Sequence, residues 1–155
     1  MRVILPGSYD PVTKGHLEII ERAARTFDEV FVVAFINPKK EYTFSVNERV
    51  SMLMLATEGL DNVLVSYSDG LVIDYMREHG IEKIIKGYRN DDDLKWEMEQ
   101  AKYNLVNGGY ETELWLCRDE MKGISSTLAR RALADKGDLS GVLPDAVIKY
   151  IKERK

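Results

Sequence analysis

A chain of 155 residues, 45% apolar and 31% charged, is most simply one domain, able to bury roughly two-thirds of its unfolded surface and well outside the disordered range. A formal net charge of −4 argues against non-specific nucleic-acid binding, and no apolar run reaches the roughly 20 residues of a membrane span, so neither nucleic acid nor a membrane is an expected partner. With no signal-peptide apolar segment the expected location is the cytoplasm, and the lone Cys117 excludes an internal disulfide and a cysteine metal cluster, reading as a buried structural thiol.

Arg2-Val3-Ile4-Leu5 is apolar and β-branched enough for a buried strand, and Pro6-Gly7 and Asp10-Pro11 prevent regular structure directly after it. A helix follows over about residues 15–27, with Leu17, Ile20, Ala24 and Phe27 as its expected packing face. Thr13 stands where an N-cap belongs and His16 projects from the first turn. Free N–H groups and the positive end of the helix dipole make that start an anion site. Neither the Gly-x-Gly-x-x-Gly nor the Gly-x-x-x-x-Gly-Lys-Ser/Thr fingerprint is present, so another kind of phosphate chemistry is required.

Residues 29–35 read as a strand covered on both faces, and Asn37-Pro38-Lys39-Lys40 lies at its carboxyl end, where open α/β sheets place ligands; by position alone these lysines are solvated loop charges. Ser45-x-x-Glu48 has the form of a capping box, opening a helix expected to bury Val50, Leu53 and Met54. A short strand at 63–65 leads through Asp69-Gly70 into a helix over 71–79 that stops at Gly80, and His79 there complements the negative helix end. Residues 83–86 read as the fourth strand, with Gly87-Tyr88-Arg89 leaving on the edge already marked by Gly7 and Lys40. The acidic run Asn90-Asp91-Asp92-Asp93 reads as a capped helix start or a metal site, and the longest helix runs over 94–107 to Gly108-Gly109. A fifth strand is expected at 113–116. Ile124-Ser125-Ser126-Thr127 then opens a helix whose hydroxyls suit either plain capping or an anion, the latter favoured by Arg130 and Arg131. Pro144 suits the first turn of a terminal helix reaching Lys149, Lys152, Arg154 and Lys155. Alternating strands and helices give an α/β, doubly wound (Rossmann-like) five-stranded parallel sheet with helices on both faces, its order reversing near the first loop.

Gly7-Ser8-Tyr9-Asp10-Pro11-Val12-Thr13-Lys14-Gly15-His16 resembles the signature loop of nucleotidyltransferases with a Thr-x-Gly-His motif. Taken with Asn37-Pro38-Lys39-Lys40, Glu48-Arg49-Val50, Lys86-Gly87-Tyr88-Arg89, Glu97-Met98, Ile124-Ser125-Ser126-Thr127 and Gly137-Asp138-Leu139-Ser140, the chain resembles the bacterial phosphopantetheine adenylyltransferases nearly end to end. The resemblance implies transfer of the adenylyl group of ATP to 4′-phosphopantetheine, Mg²⁺ on the triphosphate, and a homohexamer. It implies His16, Thr13 and Lys40 as catalytic residues. ATP would meet Gly7, Ser8, Tyr9, His16, Lys86, Gly87, Arg89 and Glu97, and, at the later helix start, Ile124, Ser125, Ser126 and Thr127. The acceptor would meet Ser8, Lys40, Val72 and Lys86. No cage of protein metal ligands is expected. One departure stands out: the family commonly has arginine where this chain has Lys86, a planar fork replaced by a compact charge. The acceptor phosphate of such a reaction is already ionised, so positioning and charge stabilisation are needed rather than a general base or a covalent intermediate.

Overall fold

The computed structural model describes residues 1–154. Its strands are β1 (Arg2–Gly7), β2 (Glu29–Phe35), β3 (Val63–Ser68), β4 (Lys83–Tyr88) and β5 (Glu111–Leu116), all parallel, in the order β3-β2-β1-β4-β5. Helices α1 (Lys14–Thr26), α2 (Val46–Ala56), α3 (Val72–His79), α4 (Asp91–Gly108), α5 (Ser126–Ala134) and α6 (Asp145–Glu153) connect and follow them.

Alternation along the central strands divides the core between two faces. Val3, Leu5, Val30, Val32 and Ile85 pack with Ile19, Ile20 and Ala23 of α1, Met52 and Leu53 of α2, Ala129 of α5 and Val147 of α6. Ile4, Phe31, Val33 and Ile84 face the opposite way, onto Tyr75 and Met76 of α3 and Ile81. The strand order reverses between β1 and β4. Their pairing joins Val3 to Lys83 and Ile4 to Ile84; farther along, Pro6 has no N–H to give, and a crevice opens between the carboxyl ends of the two strands.

Several sequence expectations are corrected. The buried face of α1 is Glu18, Ile19, Ile20 and Ala23 rather than the row through Leu17 and Ala24. In α2 the buried positions are Arg49, Met52 and Leu53, while Met54 is exposed, because the helix turns a cation toward the first loop. Strand β3 runs three residues and β4 two residues beyond the expected ends, and β5 begins two residues before its expected start, since sheet pairing extends regular structure past the apolar run. Pro144 is the N-cap of α6, one residue before the first turn, and the predicted end at Lys155 lies outside the described residues. Cys117 is buried, and His79 has Nδ1 against the Tyr75 carbonyl at 2.9 Å with its ring stacked on that tyrosine, both structural roles.

The longest helix, α4, buries none of its residues: Trp96, Met98, Tyr103, Leu105 and Val106 are all at least half exposed. Among the described residues no helix is long and apolar enough to cross a membrane.

Candidate functional site

The crevice is a cleft of about 350 Å³ floored by the loop between β1 and α1. That loop is shaped locally. Tyr9 takes a left-handed conformation (φ 50°), its buried hydroxyl donates to the Leu5 carbonyl at 2.8 Å, and its ring meets the edge of the His16 ring. A Cβ on Gly7 would come within 3.1 Å of the Tyr9 ring. Gly87 is required where β4 passes α1, because a Cβ there would lie 2.9 Å from Ile19.

Thr13 and His16 form a reciprocal cap at the start of α1. Thr13 Oγ1 accepts the His16 N–H at 3.2 Å, and His16 Nδ1 accepts the Thr13 N–H at 3.0 Å. An Nδ1 that accepts carries no proton, so the neutral ring holds its hydrogen on Nε2, the nitrogen left free for the cleft. Burial, followed by the cations of Lys86 and Arg89, lowers the His16 pKa to about 4. At neutral pH His16 is therefore an uncharged hydrogen-bond donor held by backbone.

Cations border the cleft from separate strand ends. Lys40 Nζ lies 3.3 Å from Ser8 Oγ. Lys86 Nζ donates to the Pro6 carbonyl at 3.1 Å and pairs with Glu97 at 3.5 Å; burial raises the Glu97 carboxyl above its ordinary value against the pull of Lys86. Arg89 pairs with Asp93 at 3.0 Å. Across the cleft, the N-cap Ser125 accepts the Leu128 N–H, Ser126 Oγ donates to the Pro11 carbonyl at 2.8 Å, and Arg130 donates to the Asp10 carbonyl and to Thr127 Oγ1. Lys40 and Arg130 have no carboxylate partner among the described residues, so the cleft retains positive charge opposite two helix N-termini. A second cavity of about 250 Å³ shares Pro6, Gly7, Ser8, Lys86 and Glu97 with the cleft and continues between Phe35, Val72, Trp96 and Asn104.

The chain matches the cytidylyltransferase-like family over residues 4–132. It is 40% identical to a phosphopantetheine adenylyltransferase of Symbiobacterium thermophilum, covering 99% of this chain and 96% of that one. It is also 40% identical to the Corynebacterium glutamicum protein of that name, covering 99% and 97%, and 39% identical to the one of Clostridium novyi, covering 97% and 95%. This chain belongs to the phosphopantetheine adenylyltransferase family. A crystal structure from Vibrio parahaemolyticus that bears the name of a nicotinate-nucleotide adenylyltransferase is alike in fold, with a TM-score of 0.70 at 18% identity over 97% of this chain and 91% of that one.

The residues that the family resemblance singled out come together. Gly7, Ser8, Tyr9, Thr13, His16, Lys40, Lys86, Gly87, Arg89 and Glu97 border the cleft, as do Ile124, Ser125, Ser126 and Thr127. Val72, at the first position of α3, borders the second cavity instead. Arg131 is exposed and away from the site, whereas Arg130 borders it. Asp93, Met121 and Cys117 also line the cleft without having been singled out as ligand contacts. The acidic run at 90–93 resolves as the capped helix start: Asn90 accepts the Asp93 N–H, and the Asp93 carboxylate holds Arg89. The sequence reading also passed over Asp10, although it lies inside the signature loop, because its partners are 33 and 34 residues away.

Proposed function

We propose that this enzyme transfers the adenylyl group of ATP to 4′-phosphopantetheine. An oxygen of the acceptor phosphate bonds to the α-phosphorus, the bond from that phosphorus to the β-phosphate bridging oxygen breaks in line, and 3′-dephospho-coenzyme A and pyrophosphate leave. No covalent intermediate forms. The observation that carries this reading is the junction of the two cavities at Ser8 and Lys86, next to Lys40: a polar cleft for a nucleotide meets a narrower space for an acceptor arm where cations converge.

In this reading the acceptor phosphate lies between Lys40, Lys86 and Ser8, with the pantetheine arm running past Val72, Trp96 and Asn104. Two dianions repel, and fixed cations at the junction offset that repulsion. The α-phosphate faces Nε2–H of His16. A neutral donor already oriented by Thr13 stabilises charge as it shifts and needs no proton transfer. Thr13 acts mainly through His16, since its own hydroxyl accepts the His16 N–H. The first-turn N–H groups of α5, at Ser126 and Thr127, receive the departing pyrophosphate, with Arg130 beside them. Gly7, Tyr9, Gly87, Arg89, Glu97 and Ile124 form the remaining walls around ATP.

Magnesium would accompany ATP and neutralise part of the triphosphate charge, with no side chain of the cleft needed to hold it. The acids bordering the cleft suit that arrangement, because Asp93 is engaged by Arg89, Glu97 by Lys86, and Asp10 by backbone N–H groups. We further propose that the enzyme works in the cytoplasm as a homohexamer, the count following from the family resemblance and the contact surface from the exposed apolar side chains of α4. Light scattering tests the assembly; a monomer would refute it.

The decisive experiment measures pyrophosphate release from MgATP with 4′-phosphopantetheine, pantetheine and glycerol phosphate, and from CTP with glycerol phosphate. Phosphopantetheine should react and pantetheine should not, because the missing phosphate is both nucleophile and the group held by charge-assisted contacts of about 1.5–3 kcal/mol each. Comparable rates with pantetheine, or with glycerol phosphate and CTP, would overturn the assignment.

A further inference from the structure

Asp10 is 3% exposed, and among the described residues no cation pairs with it. Both carboxylate oxygens go to backbone: Oδ2 accepts the Thr43 N–H and Oδ1 the Phe44 N–H, each at 2.9 Å. Such a buried charge is tolerable only because those groups satisfy it. The carbonyl of Asp10 accepts from Arg130 Nη1 at 2.8 Å, and Arg130 Nη2 donates to Thr127 Oγ1 at 3.2 Å. Asp10 therefore joins the first loop, the end of the loop that carries Lys40, and the start of α5.

A second tie runs parallel to the first. Arg49 is 1% exposed and donates to the Ser8 carbonyl at 2.8 Å, while its guanidinium covers the Tyr42 ring at 4.0 Å. The Tyr42 hydroxyl accepts the Asn37 N–H at 2.8 Å, closing the loop on itself, and Lys40 Nζ stands 5.5 Å from the same ring. Lys40 lies between two fastened points, Asn37 behind it and Thr43 ahead.

We propose that Asp10, with Arg49 and Tyr42 as the second tie, is a positioning residue that fixes the Lys40 loop against the nucleotide loop. This rests on the acceptor role given to Lys40 under the proposed function. The tie sets the separation between the acceptor phosphate, held at Lys40, and the α-phosphate, held at His16. An error of about 1 Å there costs on the order of a hundredfold in rate. The carboxylate does what a neutral side chain of the same size cannot, since an amide offers one acceptor oxygen and turns its own N–H₂ toward the second donor.

Two measurements on the full chain test the inference. Amide hydrogen exchange without substrate reads the tie directly. Thr43 and Phe44 should be protected in the wild type and should exchange at least about tenfold faster in Asp10→Asn; unchanged protection would overturn the proposal. Kinetics of Asp10→Asn, Lys40→Ala and the double variant read its consequence. Asp10→Asn should lower kcat/KM for the acceptor about ten- to hundredfold and move the ATP dissociation constant by less than about threefold. The double variant should be no slower than Lys40→Ala alone. Effects that multiply, or equal losses for ATP and acceptor, would mark Asp10 as merely structural. Should Asp10→Asn fail to fold, Tyr42→Leu, at a half-buried position, must show the same non-additivity with Lys40→Ala, and independent losses there refute the proposal equally. A wild-type protein inactive on phosphopantetheine would refute the proposed function while the exchange result still decides the tie.

Discussion

The state of His16 gives a prediction that can be worked through in numbers. In the unfolded chain its ring takes up a proton near pH 6.5; in the folded protein, burial and the cations of Lys86 and Arg89 put that step at about 4. Below 6.5 the unfolded state thus binds the proton first. The stability contributed by the neutral, capping imidazole is present in full above pH 6.5 and is lost progressively as pH falls toward 4. At 1.36 kcal/mol per pH unit the ceiling is about 3 kcal/mol; screening at this part-exposed ring brings the loss at pH 4.5 to on the order of 2 kcal/mol. Carboxylates titrate over the same range, so the contribution has to be isolated by difference. His16→Gln preserves the capping-box geometry and cannot titrate. Urea unfolding of both proteins at pH 7.5 and 4.5 should show the wild type losing about 2 kcal/mol more than the variant. The imidazole resonances should move with a midpoint near 4. A midpoint at the ordinary histidine value, or parallel losses in the two proteins, would refute the lowered pKa; a midpoint above 7 would refute the neutral-donor assignment and with it the role of Nε2–H at the α-phosphate.

Other expectations concern separate walls of the cleft. Lys86→Ala should raise the acceptor KM at least about tenfold, the loss of one charge-assisted contact, while Lys86→Arg should retain most activity because arginine can serve the same anion. An inert Lys86→Ala change in steady-state assays would move acceptor recognition onto Lys40 and Arg89. Ser126→Ala and Thr127→Ala keep the first-turn N–H groups but remove the hydroxyls that tie the α5 start to the Pro11 carbonyl and to Arg130. The displaced helix start should weaken ATP and pyrophosphate severalfold more than the acceptor in calorimetric titration. Equal losses would contradict the leaving-group site at α5.

Much of the architecture was legible because its signals are local. The capping box at Ser45 and Glu48, the N-cap at Thr13 and the left-handed stop at Gly80 each involve groups within four residues of one another and form as read. The helix starts near Asn90 and Ser125 and the stop at Gly108-Gly109 were legible as places, while the structure picks Asn90, Ser125 and Gly109 as the capping residues and begins α4 at Asp91, three residues before the expected start. The strand ends that converge on the site were legible for a similar reason: Gly7, Lys40 and Arg89 each follow an apolar run directly, and a parallel sheet places all such ends on one edge.

What the tertiary structure alone decided involves partners distant in sequence. The apolar spacing of α1 and α2 fitted more than one helical face, and the sheet selected the one through Ile19 and Ala23 in α1 and Arg49 and Met52 in α2. Arg49 would be an exposed helix cation on its own; it is buried because the Ser8 carbonyl and the Tyr42 ring lie there to receive it. Only folding brings Asp10 to Thr43 and Phe44, and Val72 to a cavity shared with Lys86. Even the tautomer of His16 depended on geometry, since a histidine in place of the usual Glu or Gln of a capping box reveals its role only when Nδ1 is seen to accept the Thr13 N–H. Residue types and short spacings therefore determined the fold class and the kind of chemistry. Which charge faces which phosphate depends on contacts across tens of residues, and those exist only once the sheet has brought its strand ends together.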